Sequence, residues 1–342
     1  QPDADRLSES VIAVRELIRK APKHAHEAVV IGSGYGGAVA AQRLADAGVG
    51  VIVLERGLEY LSGEFPDGLC KAFGQFRIDN GVARRVAGNE TALFDLRIGE
   101  GIGVLVGNAL GGGSQINANV AIEPDHRVFD KRENAQRSWP DEITGEAMTK
   151  YFVRARERLA AAAFVAGFAG PDSKERRKPL LEVPFKTLRL RELAERMRTI
   201  APNDSKCDDK EPLLLTVRNA DPAQHELGDR GQLPRGACVG CGECVAGCNF
   251  NAKQTLTHTY LRRAAAAGAS LFTGVTVLRI RRCEDYWAIT CVATSDRKRQ
   301  REGARAPLFR LRAKRVFMAA GTLGSTELLL RSQSKKKRLF SE

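Results

Sequence analysis

The sequence predicts an α/β fold built around a strand, a glycine-rich turn, a helix and a second strand. Residues 28–31 form a short apolar run, and residues 49–54 form another. Between them lie a glycine-rich stretch at 32–37 and a helical pattern over 35–47. Short uninterrupted apolar runs are typical of parallel strands that are covered on both faces. These three observations therefore indicate one strand–helix–strand unit of an α/β protein.

The rest of the chain is predicted to contain further elements, with less regular segments between them. Apolar residues at helical spacing from Val11 to Ile18 predict an N-terminal helix that ends before Pro22. Residues 58–100 are expected to be irregular with short helical pieces, and 166–235 to be mostly loops. The other predicted elements are helices near 148–159, 188–197, 260–267 and 326–330, and strands at 271–280, 287–294 and 315–320.

Composition places the chain among ordinary globular proteins. It has 342 residues, of which 43% are hydrophobic and 28% charged. No apolar run approaches the roughly 20 residues that span a bilayer, and no signal peptide is visible. We therefore expect no transmembrane segment and a cytoplasmic location, with peripheral membrane association as the alternative.

The chain is basic, with a formal net charge of +13. Much of this charge lies in three stretches, at residues 174–178, 297–315 and 335–338. None is interleaved with the aromatic side chains on which nucleic-acid bases stack. The charge is therefore interpreted as a solvated surface, and no nucleic-acid partner is expected.

The glycine-rich turn fits the spacing G-x-G-x-x-G directly after a strand and at the start of a helix. Gly32 permits the tight turn, Gly34 lets a pyrophosphate approach the backbone, and Gly37 lets helix and strand pack closely. Glu55 follows the second strand, 18 residues beyond Gly37. A carboxylate there accepts hydrogen bonds from a ribose and disfavours a 2′-phosphate. The motif predicts FAD or NAD rather than NADP.

Three later segments decide between the two cofactors. Residues 104–120 read VLVGNALGGGSQINANV, residues 273–275 read TGV, and residues 318–332 read MAAGTLGSTELLLRS. With the first glycine motif, and with Trp139-Pro140 between them, these segments resemble the glucose–methanol–choline oxidoreductases, in particular their cholesterol-oxidase-like branch. The resemblance covers roughly residues 27–332 and is weak over 166–235.

The resemblance implies FAD as the cofactor and an FAD/NAD(P)-binding, Rossmann-like fold of three layers (ββα) with an inserted, incomplete substrate domain. In that family the second glycine stretch passes the pyrophosphate and ribityl chain, and the asparagine after it lies near the flavin ring. The predicted cofactor-binding residues are Gly32, Gly34, Tyr35, Gly36, Gly37, Glu55, Arg56, Gly107, Gly111, Gly112, Gly113, Asn117, Asn119, Val275, Ala320 and Gly321.

The same resemblance predicts the domain organisation. Residues 1–26 are expected to form an N-terminal helix and linker, and 333–342 an aberrant tail. The FAD-binding domain is expected in two parts, 27–135 and, with a cysteine motif, 236–332. The intervening 136–235 belong to the substrate domain.

The resemblance also implies the reaction, which is oxidation of a CH–OH group with hydride transfer to flavin N5. The substrate is predicted to be a small hydrophobic alcohol, sterol-like in kind, and the electron acceptor oxygen or an electron carrier. The family's histidine base lies downstream of the segment 318–332, and none of the five histidines falls there. The chain is therefore predicted to stop before its catalytic histidine, and no catalytic residue is assigned.

Four cysteines lie within eleven residues, at Cys238, Cys241, Cys244 and Cys248. Their spacing, C-x2-C-x2-C-x3-C, is that of a bacterial ferredoxin run and predicts an iron–sulphur cluster. Zinc fits less well because it prefers two separated pairs. Structural thiols or disulfides are the remaining alternative. With a cluster, the protein would be a flavin dehydrogenase of a sugar or polyol; the non-enzymatic alternative is an inactive FAD-binding remnant.

Overall fold

The computed structural model of the chain describes residues 6–83, 85–130, 132–133, 136–137, 139–163, 185–200, 213–218, 236 and 238–333. The helices are α1 (Val11–Lys20), α2 (Tyr35–Asp46), α3 (Leu69–Gly74), α4 (Arg127–Asp130), α5 (Gly145–Arg158), α6 (Phe185–Ile200), α7 (Tyr260–Ala266), α8 (Arg297–Arg301) and α9 (Gly321–Ser332). The strands are β1 (Ala25–Ile31), β2 (Val51–Leu54), β3 (Phe76–Asn80), β4 (Arg85–Gly88), β5 (Phe94–Gly99), β6 (Ile102–Gly107), β7 (Arg132–Glu133), β8 (Gln136–Arg137), β9 (Ala162–Ala163), β10 (Leu214–Leu215), β11 (Ser270–Phe272), β12 (Val275–Arg282), β13 (Trp287–Ala293) and β14 (Leu308–Met318).

The chain folds into two compact units. The first unit comprises residues 1–117, 245–249 and 255–342, and the second comprises 118–244 and 250–254. Most of the predicted loop region 166–235 and of the predicted tail 333–342 lies outside the described residues, as do the basic stretches 174–178 and 335–338.

The first unit contains a six-stranded sheet in the order β11-β2-β1-β14-β13-β12. Strands β11, β2, β1 and the second half of β14 are parallel, whereas β12, β13 and the first half of β14 form an antiparallel meander. Helix α2 packs against β1, β2 and α7, while α9 packs against β12. Parallel sheet, meander and helices together confirm the predicted α/β, Rossmann-like fold.

The core lies on both faces of this sheet. Because side chains alternate along a strand, Val29 and Ile31 of β1 face one way and Ala28 and Val30 the other, and all four are buried. Val29 and Ile31 join a cluster with Val14 of α1 and residues of the meander. The predicted N-terminal helix thus exists and covers part of the sheet. Its N-terminus is capped by Ser10, whose hydroxyl accepts a hydrogen bond from Ile12 N at 3.3 Å.

The prediction that residues 58–100 are irregular with short helical pieces was wrong. Among the described residues of this range α3 alone is helical, and a four-stranded sheet follows in the order β4-β3-β5-β6. Strands β3 (FRIDN) and β5 (FDLRI) place charged residues at alternate positions, on a face that is buried. The hydrophobic pattern does not reveal these strands because opposite charges satisfy one another across the sheet.

Two predicted strands have different bounds in the structure. The predicted strand 271–280 is two strands, since Gly274 adopts a left-handed backbone with φ of 69° between β11 and β12. The predicted strand 315–320 begins earlier, at Leu308, because its first half pairs with β13 and only its second half with β1.

The second unit includes α4, α5, the two-stranded antiparallel sheet of β9 and β10, and the loop that carries Cys238. Helix α5 begins after Thr144, whose side chain accepts a hydrogen bond from Ala147 N at 3.1 Å. Phe129, Trp139 and Phe152 form an aromatic group beside it. Across the described residues, no helix is both long and apolar enough to cross a bilayer.

Candidate dinucleotide-binding site

The first glycine motif forms the turn between β1 and α2, and two of its glycines are required by close approach of the backbone. Gly32 has a φ of 96°, and a Cβ there would lie 2.5 Å from the carbonyl oxygen of Ala319 in β14's following turn. A Cβ on Gly37 would lie 2.0 Å from the carbonyl oxygen of Gly32. No side chain fits at either position, so the turn and the helix can approach β14 only with glycine.

The second glycine stretch meets the first. A Cβ on Gly112 would lie 3.0 Å from Cα of Gly34, and Gly111 N donates a hydrogen bond to Ser33 Oγ at 2.9 Å. A Cβ on Gly107 would clash with the carbonyl oxygen of Gly112 at 2.6 Å. Two stretches about eighty residues apart in sequence therefore form one backbone-lined surface.

Glu55, at the end of β2, is held against the first glycine stretch. Its Oε2 accepts hydrogen bonds from Ser33 N at 2.9 Å and Ser33 Oγ at 2.6 Å, and its Oε1 accepts one from Gly57 N at 2.8 Å. The carboxylate is buried, yet it borders a cavity. Ser33, which sequence reasoning missed, both orients Glu55 and holds the second glycine stretch.

These elements enclose a cavity of about 400 Å³ in the first unit. Strands β1 and β2, both glycine stretches, the start of β12 and the start of α9 all contribute to its wall. The predicted cofactor residues that line it are Gly32, Gly34, Glu55, Arg56, Gly107, Gly112, Gly113, Val275, Ala320 and Gly321.

The remaining predicted residues lie elsewhere in the structure. Gly36, Gly37 and Gly111 do not line the cavity, and the latter two serve the packing and turn geometry of the glycine stretches. Tyr35 Oη accepts a hydrogen bond from Asn117 Nδ2 at 2.8 Å, and burial raises the pKa of Tyr35 above its usual value. Asn119 belongs to the second unit, where its carbonyl oxygen accepts a hydrogen bond from Thr216 N at 2.8 Å.

One side of the cavity is an ionic network that the sequence analysis did not anticipate. Arg77 donates to Glu90 Oε2 at 3.0 Å, to Asp95 Oδ1 at 2.6 Å and to Asp79 Oδ2 at 3.1 Å. Asp95 also accepts from Arg56 at 2.7 Å and from Arg97 at 2.9 Å, and it is fully buried. Burial alone would raise the pKa of Asp95, but Arg56, Arg77 and Arg97 lower it below its usual value.

A signal for this network is present in the sequence once the strands are known. In the parallel pair β3 and β5, Arg77 lies opposite Asp95 and Asp79 lies opposite Arg97. The order R-x-D in one strand and D-x-R in the other puts opposite charges side by side in that register. Without the register, the same residues look like an exposed polar segment.

The residues present fit a dinucleotide. A Cβ on Gly34 or Gly113 would meet nothing within 4 Å, so the backbone is open toward the cavity at both. Helix α2 begins after Gly34, and no side chain caps it, so its first N–H groups are available to an anion. Bound FAD would be held by these glycines at its phosphates and by Glu55 at a ribose.

The cysteines give no such convergence. All four predicted ligands, Cys238, Cys241, Cys244 and Cys248, are among the described residues, and those residues contain no group of three or more His, Cys, Asp or Glu that could hold a metal. Three of the cysteines share the second unit, and even these three do not form such a group. The structure therefore does not support the predicted iron–sulphur cluster, because the ferredoxin spacing alone does not bring the thiols together.

A cavity lined by two glycine stretches, the carboxylate after β2 and a third glycine turn before α9 is typical of a dinucleotide-binding fold. The sequence model of the GMC oxidoreductases matches residues 27–339. The chain belongs to the GMC oxidoreductase family, and FAD is the cofactor that this membership supports.

The relatives include a cholesterol oxidase of Acinetobacter baumannii, 26% identical over 90% of this chain and 50% of that protein. A protein of Mycobacterium tuberculosis known only as an uncharacterized GMC-type oxidoreductase is 31% identical over 74% of this chain and 32% of its own length. The solved structure of a fungal aryl-alcohol oxidase is 15% identical, with a TM-score of 0.49 over 90% of this chain and 48% of that one. The chain spans about half the length of the cholesterol oxidases that it matches.

Proposed function

We propose that this chain forms the FAD-binding part of an oxidoreductase that acts on the CH–OH group of an alcohol. The observation that carries the proposal is the convergence of Gly34, Gly112, Gly113 and Glu55 on one cavity. Family membership supports FAD-dependent alcohol oxidation in general, and the cholesterol oxidase relatives favour a hydrophobic, sterol-like alcohol. The electron acceptor is proposed to be oxygen or an electron carrier.

The chain's own residues would bind and orient the cofactor. The uncapped N-terminus of α2 and the backbone of Gly34 and Gly113 would hold the phosphates. Glu55 would accept a hydrogen bond from a ribose hydroxyl, with Ser33 holding the carboxylate in place. Bound FAD supplies an acceptor for hydride at flavin N5. No residue of the described chain is assigned as the base that takes the hydroxyl proton.

The domain division follows from the same proposal. Residues 27–135 and 236–332 would be the two parts of the FAD-binding domain, and 136–235 part of a substrate domain. We propose a cytoplasmic protein, with association at a membrane surface as the alternative.

The test is direct binding of FAD to the purified chain. We expect the fluorescence of FAD to be quenched on titration with protein, and the visible flavin bands to shift on binding. A matched variant, Gly34→Val, places a branched side chain where the phosphates would lie, and it should abolish both signals. If the parent chain leaves FAD fluorescence and absorbance unchanged, the proposal is wrong.

Iron measured on the same sample addresses the second candidate, an iron–sulphur flavin dehydrogenase of a sugar or polyol. We expect no stoichiometric iron in protein purified without air, since the described cysteines form no ligand group. Stoichiometric iron with broad visible absorbance would favour that candidate instead. An FAD-binding chain that oxidises no alcohol would favour the other alternative, an inactive FAD-binding remnant.

A further inference from the structure

Two arginines on the wall of the cavity differ from all the others there. Four cavity arginines, Arg56, Arg77, Arg97 and Arg301, each form an ion pair with a buried or half-buried carboxylate. Arg297 and Arg331 also line the cavity, but among the described residues no carboxylate lies within ion-pair distance of either. These two are therefore the cavity arginines that have no ion-pair partner among the described residues.

Both side chains are half-buried rather than solvated. The guanidinium of Arg297 donates to the neutral side chain of Gln300. Nε of Arg331 is buried and has no hydrogen-bond partner in the part of the chain that the structure describes. Helix α9 places Arg331 over β12, where the backbone of Ile280 and the side chain of Arg279 hold the end of the helix. Arg331 is thus fixed in position while part of its guanidinium is left without an acceptor.

Burial makes the charged form of both guanidinium groups less favourable than it is in water. Burial, together with the nearby guanidiniums of Arg331 and Arg301, lowers the pKa of Arg297 to about 10. Burial likewise lowers the pKa of Arg331. A half-buried cation without a partner destabilises the folded chain, and an anion in the cavity would remove that cost.

We propose that Arg297 and Arg331 form an anion subsite that binds a phosphate group of the dinucleotide in this cavity. Guanidinium groups suit a phosphate because their fixed N–H groups match its oxygens in charge-assisted hydrogen bonds. The carboxylates Asp79, Glu90, Asp95 and Glu327 do not compete, since each is already bound to another arginine. The inference rests on the proposed FAD-binding function, and it assigns to it two residues outside the glycine motifs.

The experiment compares ligands with and without phosphate on the full chain. FAD, ADP, inorganic pyrophosphate and adenosine are titrated by calorimetry against the parent, Arg297→Gln, Arg331→Gln and the matched control Arg299→Gln, an exposed arginine of the same helix α8. Each of the first two variants should weaken FAD, ADP and pyrophosphate about tenfold or more, the loss expected for a charge-assisted hydrogen bond. Adenosine should change less than twofold, and Arg299→Gln should leave every affinity unchanged.

The melting temperature without ligand is a second measurement, because a ligand-binding role and a structural role for these arginines predict opposite changes in it. Removing an unpaired cation should raise the melting temperature of Arg297→Gln or leave it unchanged, whereas loss of a structural residue would lower it. Charge-conserving Arg331→Lys should recover part of the affinity for ADP.

The outcomes separate this inference from the proposed function. If the parent binds FAD and both glutamine variants bind it equally well, the subsite is wrong and the function stands. If the parent binds pyrophosphate through these arginines but does not bind FAD, the subsite stands and the function is wrong. If it binds neither, both are wrong.

Discussion

The cavity has two sides that are built by different means. The glycine side is formed by backbone: a Cβ on Gly32 or Gly107 in its wall, or on Gly37 in the adjoining helix α2, would clash with a carbonyl oxygen. The ionic side is formed by side chains, with Asp95 buried among three arginines. A backbone surface tolerates no added atom, whereas an ionic network tolerates no lost charge. Substitutions that add atoms should therefore disrupt the glycine side, whereas substitutions that remove a charge should disrupt the ionic side.

The largest effect is expected on the ionic side. Asp95→Asn keeps the shape of the side chain but removes the charge that Arg56, Arg77 and Arg97 share. Breaking a buried ion pair in this way should lower the free energy of unfolding by about 3–5 kcal/mol. Urea denaturation of the purified chain measures it. Asp67→Asn, in an exposed pair with Lys71, is the control and should change stability by less than about 0.5 kcal/mol. Equal stability of the two variants would contradict a structural role for the network.

The glycine side gives the next largest effect. Gly37→Ala puts a Cβ about where the carbonyl oxygen of Gly32 lies, so the turn and helix must separate. We expect a loss of about 3 kcal/mol, at the upper end of the range for overpacking. Gly36→Ala, one residue earlier in the same helix, meets nothing within 4 Å. It should stabilise the chain by up to about 1 kcal/mol, since alanine favours helix over glycine. Melting temperatures that fall equally in both variants would show that the close approach of Gly32 to Gly37 does not explain the loss.

Ser33 joins backbone and side chain, and its loss should cost less. Ser33→Ala leaves Gly111 N and Oε2 of Glu55 each with one hydrogen-bond partner fewer. We expect a loss of about 1–2 kcal/mol in stability and weaker FAD binding. Ser295→Ala, at an exposed position, is the matched control. Unchanged FAD fluorescence quenching in Ser33→Ala would mean that Glu55 needs no support from Ser33.

The smallest effect concerns pH. The pKa of Asp95 lies below its unfolded value of 3.8, so its stabilising effect is present above that pH and is lost as the pH falls through the folded pKa. The difference in stability between the parent and Asp95→Asn should therefore be constant from pH 5 to 7 and narrow below about pH 4. Urea midpoints across this range test it. A difference that narrows toward neutral pH instead would assign the effect to another group.

The two sides also differ in how far the sequence reveals them. The glycine motif, Glu55 and the glycine-rich segment 104–120 could be predicted because their requirements are local: a tight turn, an open backbone and a carboxylate at a strand end. The ionic side could not be predicted because Arg77 and Asp95 meet only through the register of β3 and β5. That sheet was missed altogether, since buried charges break the hydrophobic pattern by which strands are recognised.

The cysteine run shows the same limit from the other direction. Its spacing predicts a cluster, but spacing along the chain does not fix where thiols point, and no ligand group forms in the described residues. By itself, the sequence determined the α/β class, the first strand–helix–strand unit, the family and ten of the 30 residues that line the cavity. Only the tertiary structure decided that Ser33 links the glycine stretches and that Arg297 and Arg331 have no carboxylate partner among the described residues. These outcomes depend on which strands pair and in which register, and that depends on contacts between residues far apart in the chain.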